Sequence, residues 1–325
     1  MHPQTFQAGD AFIARRYVAS RSAATDGIPN LRFSWSNWGF GTEPIEVSVA
    51  RLVSNRIRFI ELHGNRYGPD LGYKTAHARR VLDDAGVAVS GICGMYGAGW
   101  EFASNVPHVR QRAIDYSRRQ ADFCAEMQGS HLLIVPGAVG RPVPFDDNEF
   151  SRAVESMRIV AEYLGSIGIR GAIEPIRPEE VSLCHTFADA RRLIAAIDHP
   201  AVAYINGDLY HMLSGEEHVG QAILSASDLL INLHMADTNR RALGGGHLDV
   251  DVVLMALYAI GYNNREAYCT PEPLGAGSNP YRAMYGEPDR DALDELVRRT
   301  ADTFFAREQE IRAASDAEIF ERYPE

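Results

Sequence analysis

Eight short apolar runs, separated by longer amphipathic segments, recur along most of the chain. The runs cover residues 31–36, 57–62, 87–92, 131–137, 171–176, 202–207, 229–235 and 266–271. Their starts lie roughly 34 residues apart on average, which is about the length of one strand–helix unit. Eight such units are what a (β/α)8 TIM barrel requires. We therefore predict an α/β protein with one barrel over residues 31–300, an N-terminal extension over 1–30 and a helical tail over 301–325.

The segments between these runs carry apolar residues three or four positions apart, which is the spacing of one face of an α-helix. The clearest helical segments lie at residues 43–55, 107–128, 147–167, 187–197 and 289–313. A doubly wound open sheet is the alternative arrangement. That fold favours a glycine-rich phosphate loop after its first strand, and "SWSNWGFG" at residues 34–41 matches such a loop poorly.

The composition argues against several classes of function. The formal net charge is −11, whereas nucleic-acid binding needs a basic face for phosphate contacts. Lys74 is the only lysine and lies in a polar, helix-like stretch, so there is no candidate for a Schiff-base lysine at a strand end. The four cysteines are widely spaced without a CxxC pair, which is typical of reduced thiols in a cytoplasmic protein. No apolar run approaches the roughly 18 residues of a membrane span. We expect a cytoplasmic protein without nucleic-acid or membrane partners.

Ionisable side chains lie at the carboxyl ends of five of the predicted strands. These are Glu61 and His63 at the second strand, and Glu174, Asp208, His234 and Glu272 at the last four. In a barrel these strand ends surround one mouth, where three carboxylates and an imidazole would repel or stay unionised without a cation. An oxygen-rich ligand set with one nitrogen suits Mn²⁺, with Mg²⁺ and Co²⁺ as alternatives. We therefore predict that the residues at the last four strands bind one divalent metal.

Three more polar residues follow these strand ends closely. They are Glu180, His211 and Arg240, which lie three to six positions after a predicted metal ligand. Side chains such as His211 and Arg240 can donate hydrogen bonds to a substrate oxygen that gains negative charge. Taken singly, these residues and the predicted metal ligands also have ordinary structural interpretations. Arg240 is then a solvated surface side chain, Asp208 is a helix cap and His234 is a hydrogen-bonded core residue.

Several motifs resemble those of the sugar isomerase/epimerase superfamily of xylose-isomerase-like barrels, particularly its ketose 3-epimerases. They are "GAIEP", "NGDLYHM", "LINLHMADTNR", "GGGHLD" and "YCTPEP", within a resemblance that covers about residues 31–300. The resemblance implies a metal site formed by Glu174, Asp208, His234 and Glu272. It also implies that Glu174 and Glu272 are the two acid–base groups. The residues that it implies for substrate contacts are His211, Arg240 and Glu180.

The chain departs from the epimerase pattern in the loop after the first glutamate. Arg177 and Pro178 stand where many epimerases have Asn-Arg. This departure leaves the implied metal ligands in place. It bears on which sugar the chain accepts as its substrate. Apurinic endonuclease barrels, which are related, use a three-zinc site with more histidines, and this acidic chain has a single histidine in its ligand set.

The chemistry implied by this site is removal of a proton from the carbon beside a carbonyl group. A divalent metal stabilises the resulting enediolate, and two carboxylates on opposite faces remove and return the proton. Return to the same carbon gives an epimer, and return to the neighbouring carbon gives an aldose–ketose isomer. We therefore predict a metal-dependent epimerase or isomerase that acts on a keto-sugar.

A carbon–carbon lyase is the alternative function. Some relatives in this superfamily are catalytic subunits of C-glycoside deglycosidases, which cleave 3-keto C-glycosides of aromatic aglycones and pair with a smaller subunit. The aromatic, glycine-rich loop at residues 93–105 suits an aglycone, since aromatic rings stack well. Candidate aglycone contacts are Trp100, Tyr96 and Phe102, and candidate helpers of the leaving phenol are His63 and His131. We expect an oligomer in either case, with the smaller partner subunit if the lyase alternative holds.

Overall fold

Seven parallel strands form the centre of the computed structural model, which describes residues 3–22, 29–64, 74–274 and 289–324. Each strand pairs with the next one along the chain. The strands are β1 (Phe59–His63), β2 (Ala88–Cys93), β3 (His131–Ile134), β4 (Arg170–Ile173), β5 (Tyr204–Asp208), β6 (Leu230–Met235) and β7 (Tyr268–Pro271). Parallel pairing in chain order directs all seven carboxyl ends to one side.

Residues 31–36, here called the closing segment, complete the barrel between β7 and β1. The backbone N–H of Ser34 donates to the carbonyl of Cys269 over 2.8 Å, and that of Glu61 donates to the carbonyl of Trp35 over 2.9 Å. Parallel bridges join the segment to both strands. The predicted (β/α)8 barrel is thereby confirmed: seven of the eight predicted apolar runs contribute its strands, and the first run forms the closing segment.

The five segments predicted to be helical all form helices. Helices of the described residues surround the barrel. They are α1 (Pro3–Ser22), α2 (Ile45–Ser54), α3 (Thr75–Ala85), α4 (Pro107–Glu126), α5 (Glu149–Ile167), α6 (Phe187–Ile197), α7 (Leu209–Gly215), α8 (Val219–Ala226), α9 (Val250–Ala259), α10 (Arg290–Ala313) and α11 (Asp316–Arg322). Local sequence sets several helix starts. The side chain of Thr186 caps α6 in a capping box with Asp189, and Asp249 accepts hydrogen bonds from the first N–H groups of α9. Asp208 likewise caps α7, through the backbone N–H of Tyr210 at 2.8 Å.

Alternation along the strands separates the apolar core from the inside of the barrel. On β1, Ile60 and Leu62 are fully buried in the hydrophobic core. Glu61 and His63, the residues between and after them, are also buried but polar. Because successive side chains of a strand point to opposite faces, the barrel interior receives the polar set. The strands therefore carry ionisable groups to a buried position at the carboxyl end.

Helix α1 and the C-terminal helices pack outside the barrel. Ile13 and Ala14 of α1 are fully buried, and the hydroxyl of Tyr17 donates to the carbonyl of Ile311 in α10 over 3.0 Å. The hydroxyl of Tyr323, just after α11, donates to the carboxylate of Asp249 at 3.1 Å. None of the helices among the described residues has the length and apolar character that crossing a bilayer requires.

Candidate active site

Four ionisable side chains meet at the carboxyl ends of β4 to β7. Glu174 follows β4, Asp208 ends β5, His234 lies in β6 and Glu272 follows β7. Nδ1 of His234 lies 3.3 Å from Oε1 of Glu174 and 3.4 Å from Oε2 of Glu272. Ligand atoms of Glu174, Asp208 and His234 lie within 4.8 Å of one another. The structure therefore brings together, in one buried cluster, the residues predicted to bind the metal.

Burial and mutual repulsion perturb the charges in this cluster. Burial, with the neighbouring Asp208 and Glu272 carboxylates, raises the pKa of Glu174 to about 7. Burial also raises the pKa of Asp208 to about 6. Burial alone would lower the pKa of His234, yet the nearby Glu272 and Glu61 carboxylates raise it well above its ordinary value. The cluster thus holds more negative charge than its own side chains can neutralise.

A divalent cation fits this donor set. Nδ1 of His234 is buried, and it makes no hydrogen bond of good geometry to any residue that the structure describes. Its other ring nitrogen, Nε2, donates to Oε2 of Glu61 over 2.8 Å. With Nε2 protonated, the lone pair of Nδ1 becomes available to a cation that replaces the proton on Nδ1. Carboxylate oxygens with one imidazole nitrogen are ligands that Mn²⁺ and similar divalent ions accept, and such an ion would relieve the repulsion.

A second polar layer lies inside the barrel beneath these residues. Nδ2 of Asn232 donates to Oε1 of Glu61 at 2.8 Å and to Oδ1 of Asn206 at 2.7 Å. Nδ2 of Asn206 donates to Oε1 of Glu174 over 2.9 Å. The hydroxyl of Thr270 donates to Oδ1 of Asn232 over 2.6 Å. Two asparagine amides therefore connect the buried carboxylate of Glu61 to Glu174.

Sequence reasoning did not assign this inner layer, although the sequence contains a signal for it. Asn206, Asn232 and Thr270 each lie two positions before one of the residues at the mouth, namely Asp208, His234 and Glu272. Alternate residues of a strand share a face, and inward-pointing side chains of a barrel stack in layers. A polar residue two positions before a predicted ligand is therefore the pattern that identifies the layer.

Ser36 and Cys93 both contact one carboxylate oxygen of Glu272. The hydroxyl of Ser36 donates to Oε1 of Glu272 over 3.1 Å, and the thiol of Cys93 lies 3.7 Å from the same oxygen. The other oxygen, Oε2, faces His234. Neither Ser36 nor Cys93 was assigned from sequence, because neither follows a predicted ligand at strand spacing.

Arg240 and His211 lie beside the four ionisable side chains. Nη2 of Arg240 lies 3.9 Å from Oε2 of Glu272, and Nε2 of His211 lies 3.4 Å from Oδ2 of Asp208. Burial, followed by the charge of Arg240, lowers the pKa of His211 well below its ordinary value, so its ring is neutral at pH 7. Both side chains line the cavity at the mouth, where they can donate to a substrate oxygen.

The ring of Tyr210 contacts two guanidinium groups at the rim. The guanidinium of Arg240 lies 4.4 Å from the ring centroid, and that of Arg177 lies 4.6 Å from it. Nε of Arg177 also donates to Oε1 of Glu180 over 2.6 Å, and Glu180 lines the cavity. Tyr210 therefore links the loop after β4, which carries Arg177 and Glu180, to Arg240 in the loop after β6.

Within the described residues, His63 and Trp100 do not line this cavity. His63 is buried at the end of β1, and its ring lies edge-on to Trp38 with centroids 6.3 Å apart. Trp100 is 37% exposed, and its indole N–H donates to the carbonyl of Met95 over 2.6 Å. These two predicted substrate contacts are therefore not part of the cavity lining, and His63 instead contacts Trp38, which lines the cavity.

The remaining candidates for aglycone chemistry also differ in position. Tyr96 lines the cavity, whereas Phe102 is fully buried behind it, with ring centroids 5.2 Å apart. His131 is fully buried at the start of β3, at the amino end of the barrel, where its Nε2 lies 3.5 Å from Glu61. His131 therefore contacts the inner polar layer and not the cavity.

Polar and apolar residues line the cavity at the mouth, and we call these two groups its polar wall and its apolar wall. The polar wall consists of Glu174, Glu180, His211, Arg240 and Glu272. The apolar wall includes Trp38, Met95, Tyr96, Val135 and Val139. The cavity volume is about 30 Å³, which exceeds the roughly 10–15 Å³ that one water molecule needs on the same measure.

Comparison with known proteins identifies the family. Residues 49–295 match the xylose isomerase-like TIM barrel family. A 3-dehydro-D-guloside 4-epimerase of Escherichia coli (strain K12) is 29% identical over 199 residues, which is 58% of this chain and 74% of that protein. A D-psicose 3-epimerase of Agrobacterium fabrum (strain C58) is 27% identical over 272 residues, which is 80% of this chain and 91% of that protein.

A solved structure shows the same fold. The crystal structure of a D-allulose 3-epimerase from Methylomonas sp. superposes with a TM-score of 0.74 at 20% sequence identity, and the match covers 86% of this chain and 98% of that chain. The family match spans most of the barrel, including all four clustered residues. The relatives are sugar epimerases, which supports an enzyme of the sugar isomerase/epimerase type, and the chain belongs to the xylose isomerase-like TIM barrel family.

Proposed function

We propose that the chain is a divalent-metal-dependent enzyme that removes a proton from the carbon beside the carbonyl of a keto-sugar. The observation that carries this proposal is the pair of glutamates that both lie close to one histidine nitrogen. Glu174 and Glu272 lie 3.3 and 3.4 Å from Nδ1 of His234. The names of the matched relatives, 3-dehydro-D-guloside 4-epimerase and D-psicose 3-epimerase, support this class of reaction and substrate.

Glu174 and Glu272 are the proposed acid–base groups. One carboxylate takes the proton from one face of the substrate, and the other donates a proton to the opposite face. Asn206 holds one oxygen of Glu174, and Ser36 holds one oxygen of Glu272. One oxygen of each glutamate is therefore held in place by the protein. Return of the proton to the same carbon gives an epimer, and return to the neighbouring carbon gives an isomer.

The other residues of the polar wall bind and orient the substrate. Arg240 and neutral His211 donate hydrogen bonds to the oxygen that gains negative charge during proton removal. Glu180, which Arg177 holds at the rim, accepts a hydrogen bond from a sugar hydroxyl. A divalent cation, with Mn²⁺ preferred over Mg²⁺ or Co²⁺, would be held by Glu174, Asp208, His234 and Glu272 and would supply the positive charge that makes the C–H beside the carbonyl more acidic.

Deuterium exchange into keto-sugars tests this function. The Mn²⁺-loaded protein is incubated in D₂O with a panel of ketoses and 3-keto-glycosides, and NMR follows loss of the C–H signal beside the carbonyl. We expect exchange with at least one sugar, and a loss of about 10²- to 10⁴-fold in Glu174→Gln or Glu272→Gln. Glu101→Gln is the matched control, because Glu101 is buried but pairs with Arg141 away from the cavity. Full exchange activity in either active-site variant would refute the acid–base assignment.

The apolar wall favours a second candidate, a lyase that acts on 3-keto C-glycosides of aromatic aglycones. Met95, Tyr96 and Val139 line the same cavity as the glutamates, and such apolar side chains can accommodate an aromatic ring. The same proton removal would then expel the aglycone from the neighbouring carbon. Incubation with an oxidised aryl C-glycoside separates the two functions. Release of the free phenol supports the lyase, and proton exchange without release supports the epimerase or isomerase.

A further inference from the structure

A fully buried carboxylate lies beneath the active site without contact with the cavity. Glu61 is 0% exposed and both of its oxygens accept hydrogen bonds across the inside of the barrel. Oε2 accepts from Nε2 of His234 over 2.8 Å, and Oε1 accepts from Nδ2 of Asn232 over 2.8 Å. Burial of a carboxylate is costly unless several donors compensate, so this position calls for an explanation.

We propose that Glu61 is a positioning residue that orients both the histidine ligand and the acid–base glutamate. Its Oε2 fixes the ring of His234, and its Oε1 acts on Glu174 through Asn232 and Asn206. The proposal rests on the proposed function, because it assigns the role of Glu61 to the metal set and acid–base pair defined there.

The first contact selects the tautomer of His234. A carboxylate can only accept a hydrogen bond, so the ring nitrogen that faces Glu61 must carry a proton. That nitrogen is Nε2, and the lone pair of the neutral ring is therefore on Nδ1. Nδ1 is the atom that faces Glu174 at 3.3 Å. A carboxylate behind a metal-binding histidine commonly fixes ring orientation and raises the basicity of the ligand nitrogen.

The second contact sets the direction of a chain of amide hydrogen bonds. Because Oε1 of Glu61 accepts, Asn232 must present its NH₂ group, and its carbonyl oxygen accepts from the hydroxyl of Thr270 at 2.6 Å. The same NH₂ group donates to Oδ1 of Asn206, which directs the NH₂ of Asn206 to Oε1 of Glu174. Each step leaves a single orientation for the next amide. The carboxylate of Glu61 thus determines that Glu174 contacts the NH₂ group of Asn206 and not its carbonyl oxygen.

Glu61→Gln tests the proposal because glutamine supplies one acceptor and one donor in place of two acceptors. It can satisfy His234 or Asn232, but not both. Titration of the metal-free protein with Mn²⁺, followed by EPR of the free ion, should show binding weakened by about 10- to 100-fold. Glu101→Gln, which removes a buried carboxylate outside the site, should leave the Mn²⁺ affinity unchanged. Wild-type affinity in Glu61→Gln, or an equal loss in the control, would overturn the proposal.

NMR gives a test that does not require Glu61→Gln to fold. In ¹⁵N-histidine-labelled protein loaded with diamagnetic Mg²⁺, we expect a proton on Nε2 of His234 and none on Nδ1, with the signals assigned by their absence in His234→Gln. An unprotonated Nε2 contradicts the tautomer argument. Both tests omit the sugar. The absence of sugar turnover would therefore count against the proposed function, whereas unchanged Mn²⁺ affinity would count against the role of Glu61.

Discussion

The hydroxyl of Ser36 lies 3.1 Å from Oε1 of Glu272, and this contact joins the two ends of the barrel at the active site. Ser36 belongs to the closing segment, and Glu272 follows the last strand. The backbone N–H of Ser36 also donates to the carbonyl of Pro271 over 3.0 Å. Closure of the barrel and orientation of an acid–base glutamate therefore depend on the same residue.

Ser36→Ala should lower turnover without preventing folding. Loss of a hydrogen bond to a charged group costs about 1.5–3 kcal/mol, which corresponds to roughly 10- to 100-fold in kcat if the bond orients Glu272 in the transition state. Deuterium exchange into the sugar measures the change. Ser34→Ala is the control, since Ser34 is a buried serine of the closing segment that contacts Ser90 instead. Equal losses in both variants would show that the effect is structural.

Tyr210→Ala should weaken substrate binding through Arg240. The aromatic face restrains the guanidinium at 4.4 Å, and such contacts contribute about 0.5–2 kcal/mol. We expect KM to rise by roughly 3- to 30-fold, as those energies imply, with a smaller change in kcat. Tyr210→Phe keeps the ring and should resemble wild type. If Tyr210→Phe is as defective as Tyr210→Ala, the hydroxyl rather than the ring face is what matters.

Mn²⁺ should stabilise the protein more at pH 7.5 than at pH 5. Burial raises the pKa of Glu174 to about 7 and that of Asp208 to about 6 in the absence of a cation. A raised carboxyl pKa stabilises the fold below the pKa of the unfolded chain, and this contribution is lost as pH rises through the folded-state value. The metal-free protein should therefore lose stability over this range, while ligands become deprotonated and bind the cation better.

Thermal unfolding with and without Mn²⁺ measures this dependence. At one fixed free Mn²⁺ concentration, 100 times the Kd measured at pH 7.5, the cation should add about 2.7 kcal/mol at pH 7.5, or roughly 5 °C in Tm for a chain of this size, and less at pH 5. Asp208→Asn, which removes one ligand, should reduce the shift at both pH values. A shift that is equal at pH 5 and pH 7.5 would contradict the link to these two carboxyls.

Strand positions and the residues at the mouth could be predicted from sequence because both follow from simple periodicity. Apolar runs at regular spacing locate the barrel strands, and the carboxyl ends of parallel strands meet at one side. The ionisable residues at those ends, such as Glu174 and His234, therefore had to be neighbours.

The rest depends on loop conformation and on contacts across the barrel. The packing of Arg177 and Arg240 on Tyr210 joins the loops after β4 and β6 with the first turn of α7, and no local pattern encodes their approach. Arg240 itself has a positive φ of 57°, which a sequence pattern does not indicate for arginine. The exposed position of Trp100 also depends on loop conformation, since an aromatic loop residue can face the cavity or pack beside it. Long-range pairs such as Glu61 and His234 become visible only when the barrel is closed.

Anomalous diffraction from crystals grown with Mn²⁺ is the most direct test of the central claim. The account predicts a single strong anomalous peak at the mouth, within coordination distance of Nδ1 of His234 and of carboxylate oxygens from Glu174, Asp208 and Glu272. A peak elsewhere, or no peak at these residues in a protein that still exchanges sugar protons after chelation, would contradict it.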